Sequence, residues 1–109
     1  MNTDPECTPL DAAHRREGVV LLDVREQDEW DAGHAPGALH IPLGDLRPEM
    51  IPAATSVMCM CRSGGRSGNA TSMLRAAGID AVNVSGGMNA WSATGLAVVR
   101  DNGQPGTVI

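Results

Sequence analysis

Of the side chains able to act as nucleophiles, bases or anion ligands, one group is set apart by its surroundings: Cys61, Arg62, Ser63, Gly64, Gly65, Arg66 and Ser67. This polar, glycine-containing stretch follows the apolar run Val57–Met60 and precedes a helix-like run, Ser67–Ala77. A cysteine that closes a buried strand and leads into a helix N-terminus has its sulfur surrounded by backbone N–H groups and the positive helix end. That environment favours a thiolate, and cationic neighbours such as Arg62 and Arg66 add to it; sites of this kind lower a cysteine pKa from about 8.5 to about 3.5–7.5. Cys61 is therefore the candidate nucleophile, and residues 62–67 the candidate anion cradle. Cys59, inside the apolar run, reads instead as a small buried hydrophobe.

Other reactive types have simpler readings. Asp23 and Arg25 end a second apolar run and read as an internal ion pair that anchors neighbouring loops and supports the site, with Arg25 shaping its rim and Glu29 as a partner for Arg25. His34, in a Gly-His-Ala-Pro-Gly turn, and His40, in a strand, read as hydrogen-bonded braces, because a thiolate activated by a cationic loop needs no general base. Cys7, Cys59 and Cys61 lack the paired C-x-x-C spacing of a zinc site, so neither a metal nor a cofactor is expected. Gly86-Gly87 belongs to no nucleotide-binding motif and reads as a turn. Trp30 and Trp91 read as core or pocket-wall residues.

The elements that must position these groups come from a chain of 109 residues, enough for one domain with a real core. The fraction of hydrophobic residues is 42% and of charged residues 19%, so the chain as a whole is not disordered. With two tryptophans and no tyrosine or phenylalanine, aliphatic side chains and six methionines must fill the core. A net charge of −5 and the absence of lysine argue against a nucleic-acid partner. Two of the eight arginines fall in the Cys61 stretch, so positive charge is concentrated there. No apolar run is long enough to span a membrane, and the N-terminus lacks the pattern of a signal peptide. Three cysteines suggest no disulfide framework, and a reducing cytoplasm is the expected location.

In order, Asp4–Cys7 reads as a short edge strand, and Thr8, Pro9 and Asp11 as the capped start of a helix running to about Glu17. Val19–Leu22 has the continuous apolar character of a strand buried on both faces. A helix over Glu26–Ala32, a strand over Ala38–Leu43 and a short helix plus loop over Gly44–Ala54 follow. Ser56–Met60 is the strand that carries Cys61, and Ser67–Ala77 is the best helix. A strand over Ala81–Val84 and a helix over Met88–Ala93 come next, and the remainder reads as a hairpin or loose tail. Strands alternating with helices predict a parallel sheet with helices on both faces and a ligand site at the carboxyl ends of its strands. The Cys61 loop lies at one of those ends.

Taken together, Leu22-Asp23-Val24-Arg25-Glu26, Gly33-His34-Ala35-Pro36-Gly37-Ala38, His40-Ile41-Pro42, Cys61–Ser67 and Val84-Ser85-Gly86-Gly87-Met88-Asn89-Ala90-Trp91 resemble the single-domain rhodanese family. The resemblance covers roughly residues 6–98, with 99–109 as a tail. It implies an α/β domain with a five-stranded parallel sheet, and transfer of a sulfane sulfur from a donor such as thiosulfate to cyanide or a thiol. By position it implies that Cys61 carries the persulfide, that the backbone N–H groups of residues 62–67 hold the anion, and that Arg66 orients the loop and binds oxyanion charge. The acceptor could be a small thiol or a thioredoxin-like protein. Phosphatases on a similar fold have five residues between Cys and Arg; here four separate Cys61 from Arg66, a smaller ring that disfavours phosphatase or arsenate-reductase activity. Rhodanese-like domains lacking the cysteine serve as sensor or interaction modules, and the presence of Cys61 argues against that alternative.

Overall fold

The computed structural model describes residues 4–52 and 55–109. Five strands, β1 (Glu6–Cys7), β2 (Val19–Asp23), β3 (Leu39–His40), β4 (Ser56–Met60) and β5 (Ala81–Val84), form one parallel sheet in the order β1-β5-β4-β2-β3. The two strands with the most apolar sequences, β2 and β4, lie side by side near its centre, pairing from Val19 with Ser56 to Asp23 with Met60. Their carboxyl ends therefore finish level, and Cys61 leaves the sheet beside the segment that carries Arg25.

The helices are α1 (Pro9–Ala13), α2 (Gln27–Ala32), α3 (Gly65–Ala76) and α4 (Gly87–Ala93). Side chains alternate across a strand, so each central strand feeds two cores. On one face Leu22, Val57, Cys59 and Cys61 meet Ala70 and Leu74 of α3, together with Leu46 and Ile51. On the other, Leu21, Met60 and Val84 meet Ala12 of α1 and Met88 and Trp91 of α4. The fold is thus the α/β arrangement expected, a five-stranded parallel sheet with helices on both faces.

Several boundaries differ from the sequence reading. Thr8 caps α1 through the Asp11 N–H, and the Asp11 carboxylate returns a bond from the Thr8 N–H. The helix then ends at Ala13 rather than near Glu17, because residues 14–18 contain no apolar side chain to hold another turn on the sheet. The third strand is only Leu39–His40: Ile41 and Leu43 still donate to the carbonyls of Asp23 and Val24, but Pro42 between them has no N–H. The segment read as a short helix plus loop over 44–54 has two single turns of 3-10 helix, Leu43–Asp45 and Pro48–Met50, in place of the one short helix, and its last two positions, Ala53 and Ala54, lie outside the described residues.

The last stretch folds back as a hairpin. Val99 bridges antiparallel to both His34 and Pro105, and Thr107 donates to the carbonyl of Ala32. Contact is close enough that a Cβ built on Gly33 would lie 2.6 Å from the backbone of Thr107. Val98 and Val108 pack on the same core cluster as α4.

Candidate functional site

The site starts with a cysteine at the end of a strand whose residues are buried on both faces. Cys61 is 1% exposed. Beyond it the chain must reverse into α3 within three residues, and Gly64 makes this turn at φ +113°, a backbone conformation that favours glycine. Gly64 is the N-cap of α3, so the helix begins at Gly65, two residues earlier than its side-chain pattern suggests. Gly65, Arg66 and Ser67 consequently form the first helical turn.

This turn directs donors at the sulfur. The Gly64 N–H points at Cys61 Sγ from 3.1 Å, and Ser67 Oγ lies 3.3 Å from it. Burial pushes the Cys61 thiol up, but the Ser67 hydroxyl and the N–H groups of Ser67, Gly64 and Ser63 together outweigh it and hold the thiol below its ordinary value. The other cysteines lack such donors in number: burial pushes both Cys59 and Cys7 up to about 11. Cys59, fully buried in the core facing α3, has the structural character read from its place in the apolar run.

The remaining loop residues divide by direction. Arg62 and Ser63 are exposed, as is Gly65. Arg66 forms a bidentate pair with Glu29 of α2, Nη1 to Oε1 at 2.6 Å and Nη2 to Oε2 at 2.9 Å. The hydrogen bonds from Arg66, with a smaller contribution from its charge, hold the Glu29 carboxyl down to about 2, and Glu29 in turn raises the guanidinium. Glu29 thus partners Arg66, not Arg25 as the sequence suggested. The reason is topological: α2 stands over the loop that leaves β4, while Arg25 turns into the protein.

Arg25 is wholly buried with Asp23, donating from Nε to both carboxylate oxygens and from Nη2 to Oδ2 at 2.8 Å. Nη2 also reaches the Gly33 carbonyl at 2.8 Å, and the Arg25 carbonyl accepts from His40 Nε2 at 2.8 Å. The pair ties the end of β2 to the turns after α2 and within β3, which is the anchoring role read from sequence. Arg25→Leu is expected to lower stability by about 3–5 kcal/mol, because Asp23 would be left as an uncompensated buried charge; a denaturant melt checks it. His34 and His40 are braces: both rings stack on Trp30, with centroids 3.6 and 4.7 Å apart, and His34 Nδ1 bonds the Trp30 carbonyl.

Two features of the site escaped the sequence reading. Asn83 of β5 is buried and joins the cysteine loop at two points, donating from Nδ2 to the Gly64 carbonyl at 3.0 Å and accepting from the Ser67 hydroxyl at 2.6 Å. Its sequence signal was a lone amide inside the otherwise apolar strand Ala81–Val84. Gly86-Gly87, read as a plain turn, brings the start of α4 onto the loop: the Met88 and Asn89 N–H groups bind the carbonyls of Cys61 and Arg62 at 2.8 and 2.9 Å. A Cβ on Gly87, which has φ +54°, would lie 2.3 Å from the Cys61 carbonyl oxygen. Gly87→Ala is therefore expected to displace the loop, destabilising the protein by about 1–3 kcal/mol and slowing Cys61 alkylation. Gly65→Ala, with open space around its Cβ, should do neither.

A cleft of about 390 Å³ is lined by residues that include Leu10, Arg15, Val19, Met58 and Val82, none of them in the Cys61 loop. The chemistry-bearing groups lie at the opposite, carboxyl end of the sheet. No helix among the described residues is long and apolar enough to cross a membrane.

Comparison with known proteins agrees with this architecture. The "Rhodanese-like domain" family model matches residues 7–94. A protein named "Sulfurtransferase" from Allochromatium vinosum is 38% identical over 90 residues, which cover 80% of this chain and 84% of that protein. The Synechocystis protein slr1261 is 35% identical over 99 residues, 88% of this chain and 55% of its own length, so this chain spans about half of that relative. The crystal structure of a rhodanese-related protein from Thermoplasma volcanium superposes with a TM-score of 0.81 at 27% identity, covering 87% of this chain and 97% of the other. A matched family model over most of the sequence, the five-stranded sheet and the cysteine loop at its carboxyl edge agree: the chain belongs to the rhodanese-like domain family.

Proposed function

We propose that the protein is a sulfurtransferase that takes a sulfane sulfur from a small sulfur-containing anion, thiosulfate being the leading candidate, and passes it to cyanide or a thiol through a persulfide on Cys61. The observation that carries this reading is the position of Cys61 Sγ, 3.1 Å from the Gly64 N–H and 3.3 Å from the Ser67 hydroxyl. A buried sulfur held in this way is stabilised as an anion. A relative named as a sulfurtransferase supports the reaction class.

In the first half-reaction the Cys61 thiolate attacks the outer sulfur of thiosulfate. A new S–S bond forms, the bond from that sulfur to the sulfonate sulfur breaks, and its electron pair leaves with sulfite. In the second, cyanide or a thiolate attacks the outer sulfur of the persulfide, giving thiocyanate or a new persulfide and returning Cys61 as thiolate. Both halves place negative charge at the loop, where N–H donors act with least reorganisation. Arg66, paired with Glu29, stands beside the loop as the charged group that meets the donor, and exposed Arg62 adds a weaker, solvent-screened attraction. Asp23 and Arg25 hold the neighbouring loop. The three free cysteines suit a reducing cytoplasm, and an exchangeable persulfide suits a thioredoxin-like acceptor as well as a small thiol.

Steady-state turnover with thiosulfate, 3-mercaptopyruvate and a phosphate ester, each with cyanide or a dithiol present, tests the proposal. Thiocyanate or sulfide release from a sulfur donor, without phosphate release, is the expected result. Phosphate release alone would replace sulfur transfer by ester hydrolysis.

A further inference from the structure

We propose that Asn83 is a positioning residue that shares the single Ser67 hydroxyl proton with Cys61, so that the hydroxyl serves Asn83 while the sulfur is a thiol and turns to the sulfur once it is an anion. The inference rests on the reading of Cys61 as the group that becomes anionic. It needs no sulfur donor.

The argument begins with the Asn83 amide, whose orientation is fixed. Its Nδ2 lies 3.0 Å from the Gly64 carbonyl, which can only accept, so the NH₂ group must face Gly64 and Oδ1 must face Ser67. Ser67 Oγ then has two neighbours and one proton: Asn83 Oδ1 at 2.6 Å and Cys61 Sγ at 3.3 Å. All three residues are buried, Ser67 at 0%, Cys61 at 1% and Asn83 at 3% exposure, so water does not readily replace a missing partner.

With Cys61 as thiol every group is satisfied in a chain: S–H donates to Ser67 Oγ, and the hydroxyl donates to Asn83 Oδ1. Removing the thiol proton leaves the sulfur as an acceptor only. The hydroxyl then rotates toward it, and Oδ1, still held by the Gly64 contact, loses its donor in a buried place, where an unsatisfied acceptor is unfavourable. Asn83 therefore opposes the anion that Ser67 favours, while its other arm keeps Gly64, whose N–H also faces the sulfur, in register. The charged groups around the loop are exposed Arg62, and Arg66 with its partner Glu29 and the nearby carboxylate of Glu26; they are the same in every variant below. Cys59, on the same core face, stays protonated through the range of interest, being pushed up to about 11.

The experiment follows Cys61 alkylation by iodoacetamide against pH, with the modified peptide read by mass spectrometry. Ser67→Ala should move the midpoint up by about one pH unit, roughly tenfold in thiolate fraction at neutral pH. Asn83→Leu should move it down, because the hydroxyl then serves the sulfur alone. In the double variant the downward shift should vanish, leaving the midpoint of Ser67→Ala. An unchanged or raised midpoint in Asn83→Leu would overturn the proposal. A second readout uses the unaltered protein, so it stands even if Asn83→Leu does not fold: the side-chain carbonyl carbon of Asn83 should titrate in ¹³C NMR with the midpoint of Cys61 alkylation, and a resonance that stays still through that midpoint contradicts it. Because neither readout involves sulfur transfer, a protein that shows the coupled titration but no turnover would refute only the proposed function.

Discussion

Cys61→Ser is expected to lose sulfur transfer completely, while Cys59→Ser retains it and Cys7→Ser changes little. A serine hydroxyl is far less acidic than a thiol and cannot hold a persulfide sulfur, so no rearrangement of the loop restores the chemistry. Cys59 is buried on the core face that meets α3, with the Thr71 hydroxyl as a partner to its sulfur. Serine there should cost about 1 kcal/mol, the low end for a buried hydroxyl that finds a partner, and leave turnover near that of the parent. The pH dependence separates the three thiols in the same protein. Cys61 alkylation should be half-maximal below the ordinary thiol value of 9.0, whereas Cys7 and Cys59, pushed up to about 11, should react only in stronger base. For stability the signs are opposite. Cys61, lowered on folding, adds stability above 9.0 that is lost as pH falls through its folded value; Cys7 and Cys59, raised on folding, contribute fully below 9.0 and lose that contribution as pH rises through about 11. Above pH 9 the Cys61 contribution is already complete and no longer changes, so only Cys7 and Cys59 act there and thermal melts should show weakening between pH 9 and 11.

Arg66→Ala should lower turnover by about two to three orders of magnitude, the usual effect of removing one donor to a developing anion, and Arg62→Ala by much less. The contrast follows from placement. Arg66 is held at the loop by the two hydrogen bonds it donates to Glu29, while Arg62 is exposed and screened by solvent. Glu29→Gln refines the test: it keeps an acceptor for the guanidinium but removes the negative charge beside it. A dianionic donor should then bind more tightly, with a lower KM, while kcat changes less than tenfold. A raised KM would mean that Glu29 serves only to hold Arg66 in place. Since Glu29 is held down to about 2, its pair contributes stability above about pH 4.5 and loses it only as pH falls through about 2. An acid limb in the rate profile near neutrality should therefore belong to Cys61.

Much of this arrangement was legible in the residues themselves. Val19–Leu22 and Ser56–Met60 are apolar at every or nearly every position, the pattern of a strand covered on both faces, and they are the paired centre of the sheet. The spacing from Cys61 to Arg66 and the change from apolar to polar character at Cys61 marked the loop. What the sequence hid depends on contacts between distant segments. Nothing local says that Glu29 reaches Arg66, 37 positions away, in preference to nearby Arg25. Gly87 reads as an ordinary turn residue until α4 is placed against the Cys61 carbonyl. The first turn of α3 was missed because Gly65 and Arg66 lack an apolar pattern, although the left-handed cap at Gly64 already starts the helix there. Asn83 was visible only as an inconsistency, an amide where the strand called for an aliphatic side chain.

Persulfide mapping tests the central claim most directly. The reduced protein is incubated with thiosulfate, alkylated, digested and weighed, before and after addition of cyanide. The account predicts that the peptide containing Cys61 gains the mass of one sulfur atom, that cyanide removes it as thiocyanate, and that the Cys61→Ser protein gains nothing. The extra sulfur on Cys59 or Cys7 with turnover retained in Cys61→Ser, or no sulfur gained from any donor by a folded protein, would contradict it.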